Sequence, residues 1–397
     1  MSMAICTFFV VASLCPAMSA DDFKISPDET NPYFGAARAA AGSPSFMGLG
    51  SLPGGYSSSA LGISGDGSTV VGYGRFASDG FEAFRWTSDG GMLGLGDLPG
   101  GEFSSVAYST SSDGLAIVGE SRSATGSEAF LWTSGTGMIG LGDVPGGATS
   151  SDAYGISADG LVVVGKCTSA SGGEAFRWTS GGGMIGLGDL PGGRVSATAH
   201  AVSGDGAVVV GTGDSALGLE AFRWTNDGGM AGLGDLPGAG FNSVAFDTSG
   251  DGSVVVGWGS SAFAFTAEAF RWTSGDGMVA LGELPGGTAL SKAYGTSGDG
   301  SVVVGESISA AGQEAFIWDS TNGMRSLRSV LTNDFGLDLT GWILAEARDV
   351  SADGLTIVGW GTDPAGATDA WVAHIPEPAT ALLLLLAASL ARRTRRH

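Results

Sequence analysis

Histidine and cysteine are nearly missing from this chain, and basic residues are scarce. Three cysteines and three histidines occur in 397 residues. Cys6 and Cys15 lie within the first twenty, so Cys167 is the one thiol of the body and no internal disulfide is expected there. His200 is the one histidine placed where catalysis is conceivable. Its column otherwise holds aromatic, aliphatic and basic residues, so packing or surface is the expected role. No metal-ligand cluster, nucleophile elbow or phosphate loop occurs, so no catalytic residue, metal or cofactor is assigned. The 40 acids outnumber the 18 Lys and Arg, for a formal charge of −22. Residues 21–378 hold all 40 acids and 14 of the bases, which makes the body −26. Such a surface repels nucleic acid and anionic headgroups, and nucleic-acid binding is excluded.

What is present is repetition. EAFRW or a near copy occurs at 82–86, 128–132, 174–178, 220–224, 268–272 and 314–318, and Asp369-Ala370-Trp371 reads as a worn seventh copy. Successive tryptophans, Trp86 to Trp318, are spaced 46, 46, 46, 48 and 46 residues apart. A period of that size is one supersecondary unit written repeatedly. In the third unit, strand chemistry covers Asp152–Ser157, Leu161–Gly165, Glu174–Thr179 and Met184–Leu190. The first two are joined by Ser157-Ala158-Asp159-Gly160, a hairpin signal because the tight turn needs positive φ. Ser-x-Asp-Gly recurs with Asp at 66, 113, 159, 205, 251, 299 and 353, and turn geometry explains all seven without a metal ring.

Four antiparallel strands per unit make a blade, and seven units predict an all-β, closed seven-bladed β-propeller over 46–375. The ends support closure. The chain enters on an orphan fourth-strand segment, 46–52, and the last unit stops after its third strand. One surplus and one missing strand of the same type predict that the N-terminal strand completes the last blade. The tryptophan column is expected to be core, and Met92, Met138, Met184, Met230, Met278 and Met324 to be filler. Arg325–Trp342 is an apolar insertion before the last unit, read as a plug or a clamp over the closing seam.

The ends carry a separate message. Residues 1–20 read as a secretory signal, with an apolar run from Ala4 to Leu14 and small residues at Ala17–Ala20. Residues 21–45 read as a flexible lead-in. At the other end, Pro376-Glu377-Pro378 precedes an uncharged run, Ala379 to Ala391, and then Arg392, Arg393, Arg395 and Arg396. Thirteen helical residues cover about 20 Å, short of a ~30 Å hydrocarbon core, and the arginines place the body outside. An ordinary tail anchor is one reading. The tripartite tail resembles the PEP-CTERM sorting signal, which implies an exosortase-type processing enzyme, transient membrane insertion, and export to the surface or matrix of a Gram-negative-type bacterium. The units Ser-x-Ala-Tyr-Gly-Ile-Ser-x-Asp-Gly, x-Ala-Phe-x-Trp and Gly-Asp-Leu-Pro-Gly-Gly resemble HAF repeats of extracellular bacterial proteins. Here Glu82, Glu128, Glu174, Glu220, Glu268 and Glu314 stand where that family's histidine would be.

Comparison among the units points to a face. The 1–2 and 3–4 connections are nearly constant, whereas diversity collects in the other two, which alternation places together on one side. The candidate binding face is Tyr56, Arg75, Phe76, Glu102, Arg122, Lys166, Arg194, Phe241, Phe263 and Phe265. The first-strand column Leu61, Tyr108, Tyr154, His200, Phe246, Tyr294 and Arg348 varies as well. The expected function is a non-catalytic binding or structural module toward exopolysaccharide, another surface protein or cations. The alternative is a carboxylate-dependent polysaccharide hydrolase or lyase, which two close carboxylates in an open pocket would favour.

Overall fold

A computed structural model describes residues 43–77, 80–146, 150–261, 267–288 and 290–376. The secretory signal, most of the lead-in, Phe263, Phe265, Glu377, Pro378 and the four terminal arginines lie outside the described residues. Among those described, no helix is long and apolar enough to cross a membrane.

The body is all-β. In the third repeat, Ser151–Ile156, Val162–Ser169, Gly172–Thr179 and Gly183–Gly186 pair in sequence, each antiparallel to the next. The second strand is longer and the fourth shorter than the sequence pattern suggests, because Gly-Leu-Gly-Asp leaves the sheet after four residues. The last repeat supplies Ile343–Val350, Thr356–Thr362 and Thr368–His374. Its fourth strand is Ser45–Gly50, antiparallel to Thr368–His374 with Ser45 opposite His374. The orphan strand therefore sits where the missing one was expected, and Ser45, assigned to the lead-in, already belongs to it.

No sheet closes on itself; neighbouring repeats meet by packing, by their turns and, at three junctions, by a single parallel bridge: Phe81 with Ser104, Gly173 with Ser196 and Leu219 with Asn242. In each Ser-x-Asp-Gly turn the serine hydroxyl donates to the aspartate at 2.5–2.7 Å. In the third, Leu161 N–H donates to Asp159 and Val162 N–H to Ser157 Oγ, both at 3.0 Å, while Gly160 takes φ +74°. These turns also bond to one another in series. Asp66 N–H donates to the Ser112 carbonyl, Ser112 to Ala158, Ala158 to Gly204, Gly204 to Gly250, Gly250 to Gly298 and Gly298 to Ala352. Ala352 N–H then donates to Gly65 at 3.0 Å, which returns the series to its start. Leu52, Ala60, Val70 and Phe84 share a core with Val358 and Ala370, so the first repeat packs on the last.

The core corrects one expectation. Phe84, Phe130, Phe176, Phe222, Phe270 and Phe316 are fully buried, whereas Trp86, Trp132, Trp178, Trp224, Trp272 and Trp318 are half-buried at the core margin. Phenylalanine is the ring that each repeat encloses, because it lies over the glycine that ends Val-Val-Val-Gly. A Cβ on Gly165 would meet the Phe176 ring at 2.8 Å. Strand pairing sets Trp371 opposite Gly359 as Phe84 is set opposite Gly72, so Trp371 replaces the phenylalanine and not the tryptophan. The glutamates that open the EAFRW segments are structural in four repeats: Glu82, Glu128, Glu174 and Glu220 accept from Gly96, Gly142, Gly188 and Gly234 N–H at 3.1–3.4 Å.

The insertion is a clamp. A helical turn, Leu327–Ser329, runs into a π-helical turn, Val330–Asp334, and buries Leu327, Val330, Leu331 and Leu339 against Leu344 and Trp371. Trp342 then covers the incoming strand, edge-on to Phe46 at 5.0 Å and directly above Gly48.

Candidate functional site

A β-bulge at one position of every first strand builds the site. The bulged residues are Leu61, Tyr108, Tyr154, His200, Phe246, Tyr294 and Arg348, each left without a partner on the second strand. A bulge re-aims a side chain out of strict alternation. Here it gathers the variable column into an arc of rings. Tyr108–Tyr154, Tyr154–His200, His200–Phe246 and Phe246–Tyr294 centroids are 5.0–5.7 Å apart, and Arg348 lies over Tyr294 at 4.2 Å. Leu61, Tyr108 and Arg348 then line one recess, so the two ends of the arc meet.

A second variable column accompanies it: Tyr73, Glu120, Lys166, Thr212, Trp258, Glu306 and Trp360, each following the uniform glycine of the second strand. Two ionic groups form between these columns. In the first, Tyr108 OH donates to Glu120 at 3.0 Å, Lys166 pairs with Asp152 at 3.1 Å, and Ser127 Oγ lies 3.0 Å from Asp152 and 3.4 Å from Glu120. Burial, then the hydrogen bond and charge of Asp152, raise Glu120 to about 7, so it changes protonation state near neutrality. Burial pushes Asp152 up too, but the Glu120 hydrogen bond and the Lys166 ammonium outweigh it and hold Asp152 below its ordinary value. In the second group, Lys292 pairs with Glu306 at 2.7 Å, Gln313 bonds Glu306 and Glu346, and Arg348 and Trp360 Nε1 each reach Glu346 at 3.2 Å.

Two further acids replace small residues next to the bulge. Asp247 accepts from Thr296 N–H of the following repeat at 2.8 Å, and Asp349 of the last repeat accepts from Ile63 N–H of the first at 2.9 Å. Burial and the Asp349 charge raise Asp247, and burial raises Asp349 against its hydrogen bonds. Burial, then the Lys166 charge, lower His200 to about 4, which leaves it a neutral ring in the arc.

The recess has a volume of about 420 Å³. Its lining includes Leu61, Tyr73, Phe81 and Tyr108 together with the polar Glu120, Arg122, Ser127 and Arg348. Tyr73 and Phe81 meet edge-on at 5.4 Å, with Arg75 over Phe81 at 5.1 Å. Of the candidate face, Arg122 lines this recess and Lys166 stands in the first ionic group, 5.7 Å from the Tyr154 ring. Tyr56, Glu102 and Arg194 are exposed at the starts of their strands, while Phe76 and Phe241 are half-buried, Phe76 against Phe103 at 6.5 Å. Pairing of Gly55 with Phe76, Gly100 with Ser123 and Gly192 with Ser215 does bring the two diverse connections of one repeat together. Sequence reasoning missed Tyr73, Glu120, Asp152, Glu306 and Glu346. Their signal was variability at the residue after a uniform glycine, or two before the bulge. A second cavity of about 500 Å³ lies beside the clamp, where Arg325 joins Asp319 and Asp334 at 3.3 and 3.2 Å.

No protein-family model matches the chain, and no curated protein matches it in sequence. Solved structures resemble it in fold. A chain from a study of two prolyl endopeptidases matches 81% of this chain and 51% of its own length at 11% identity, with a TM-score of 0.53. The β-propeller domain of the Trilobed protease from Pyrococcus furiosus covers 80% of this chain at 10% identity, with 95% of its own length matched and a TM-score of 0.48. TolB from Acinetobacter baumannii covers 66% at 13% identity and TM-score 0.47, and the chain spans 63% of that protein. These likenesses concern the fold alone.

Proposed function

We propose that the chain is an exported binding module, built as a closed ring of seven four-stranded blades, that holds polysaccharide or another surface protein at the cell surface or in its matrix. The observation that carries this reading is the contrast between uniform turns and cores and an irregular set of aromatic and charged side chains gathered at one recess. Rigid scaffolds carry recognition on such departures. The closed ring is supported by the series of turn hydrogen bonds that returns from Ala352 to Gly65, and by the core shared between first and last repeats. Export rests on the sequence alone: the apolar start, the Pro376-Glu377-Pro378 tail with its arginine cluster, and a body of −26. An exosortase-type enzyme would remove that tail.

Hydrolysis is a second reading, favoured by the Glu120–Asp152 pair, one carboxyl raised to about 7 and the other held below its ordinary value beside an open recess. It ranks second because Asp152 is already engaged by Lys166, Tyr154 and Ser127, and is 5% exposed, so it offers the recess no free base. Retention of the full chain on the host's own polysaccharide, with and without calcium, tests binding; reducing sugar released in the same wells tests hydrolysis. Saturable retention without release is expected. Release lost in Glu120→Gln would replace the first reading by the second.

A further inference from the structure

The recess carries a charge unlike that of the protein around it. Within a body of −26, two guanidinium groups, Arg122 and Arg348, line one cavity whose single carboxyl is Glu120. Arg348 pairs with Glu346 through one terminal nitrogen at 3.2 Å, while its buried Nε has no partner. Arg122 is exposed, and among the described residues no carboxylate lies within salt-bridge distance of it. The same cavity is lined by the aromatic side chains Tyr73, Phe81 and Tyr108. Arginine forks bind carboxylates with two parallel hydrogen bonds, and aromatic faces accept the apolar side of a ring. The volume of about 420 Å³ falls at the small end of ligand sites, which run to roughly 300–1,000 Å³.

We infer that this recess binds the end of an acidic saccharide, its carboxylate on Arg122 and Arg348 and its ring against Tyr73, Phe81 and Tyr108. The inference rests on the binding-module reading and gives it a ligand class. A neutral sugar would leave the arginine donors unanswered, and a cation would be repelled by them. Glu120 decides the pH range. It is faced by Tyr108 on its neighbouring strand and by Asp152, Tyr154 and Lys166 of the next repeat, with Arg122 two residues along its own strand and Arg348 lining the same recess. Protonated, it donates to the ligand or to Asp152. Ionised, it sets a negative charge beside an anion, so affinity falls as pH rises through about 7.

The test uses the full chain titrated with galacturonate and glucuronate, and with galactose and glucose as neutral counterparts, followed by tyrosine and tryptophan fluorescence. Saturable binding of at least one uronate is expected, about tenfold or more tighter than its neutral counterpart. Arg122→Gln should weaken it by a similar factor, Arg177→Gln, which does not line the recess, should leave it unchanged, and Glu120→Gln should flatten the pH dependence between 6 and 8. Equal binding of acidic and neutral sugars overturns the inference, as does binding indifferent to Arg122→Gln. Silence toward both uronates also overturns it. If host polysaccharide is still retained in that case, the recess assignment falls and the binding module stands. If retention is absent too, both fall.

Discussion

The turns and the bulges of this protein are both written seven times, yet they teach opposite lessons. The Ser-x-Asp-Gly turns keep their residues because one geometry admits few side chains, and every copy makes the same bonds. The bulges keep their geometry while their residues run from leucine through tyrosine, histidine and phenylalanine to arginine. Constancy of residue marks what the chain needs to fold. Constancy of backbone with freedom of residue marks what a binding surface can use.

Substitutions should separate the two regions. The largest loss is expected in the framework: Phe176→Ala empties a fully buried site over Gly165 and should cost about 3–5 kcal/mol in denaturant unfolding at unchanged slope. Trp178→Ala, at the margin, should cost distinctly less. Next comes Ser157→Ala, which strips the acceptor from the buried Val162 N–H at about 1–3 kcal/mol and should leave uronate binding untouched. A turn variant that folded normally but lost ligand would break the division. Trp342→Ala uncovers Phe46 and should cost about 1–2 kcal/mol, with faster amide exchange confined first to 45–50.

Titration should separate them as well. In the framework, Asp251 is held at about 2 by hydrogen bonds from Ser249 and Ser253, so its contribution is present above 3.8 and lost as pH falls toward 2. In the middle the slopes oppose each other. His200 is lowered from 6.5 to about 4, so the unfolded chain binds more protons and stability rises with pH across that window. Glu120 is raised from 4.5 to about 7, so the folded chain binds more and stability falls across its window. The thermal midpoint of His200→Phe should keep the fall and lose the rise, and Glu120→Gln should do the reverse. The smallest effect is expected at the rim, where Tyr56→Ala should stay within about 0.5 kcal/mol of the parent.

Much of the framework was legible because a repeat reports its own geometry. The aspartate turns, the four strands and the orphan strand, read at 46–52 and found at 45–50, all follow from residue pattern. The tryptophan was misread as the enclosed ring because EAFRW offers two aromatics two residues apart on one face. Only the glycine beneath Phe176 decides between them. The recess was largely hidden. Glu120 and Asp152 belong to different repeats, and Arg348 reaches Tyr294 across another boundary, so no local spacing joins them. The bulge adds to this by breaking the period-two alternation from which facing is read.

A crystal structure of the full chain soaked with galacturonate tests the central claim most directly. The account predicts a sugar ring between Tyr73, Phe81 and Tyr108, its carboxylate on Arg122 and Arg348, within a ring closed by 45–50. Density for the sugar only at the exposed loops around Tyr56 and Arg194, with the recess filled by water, would contradict it.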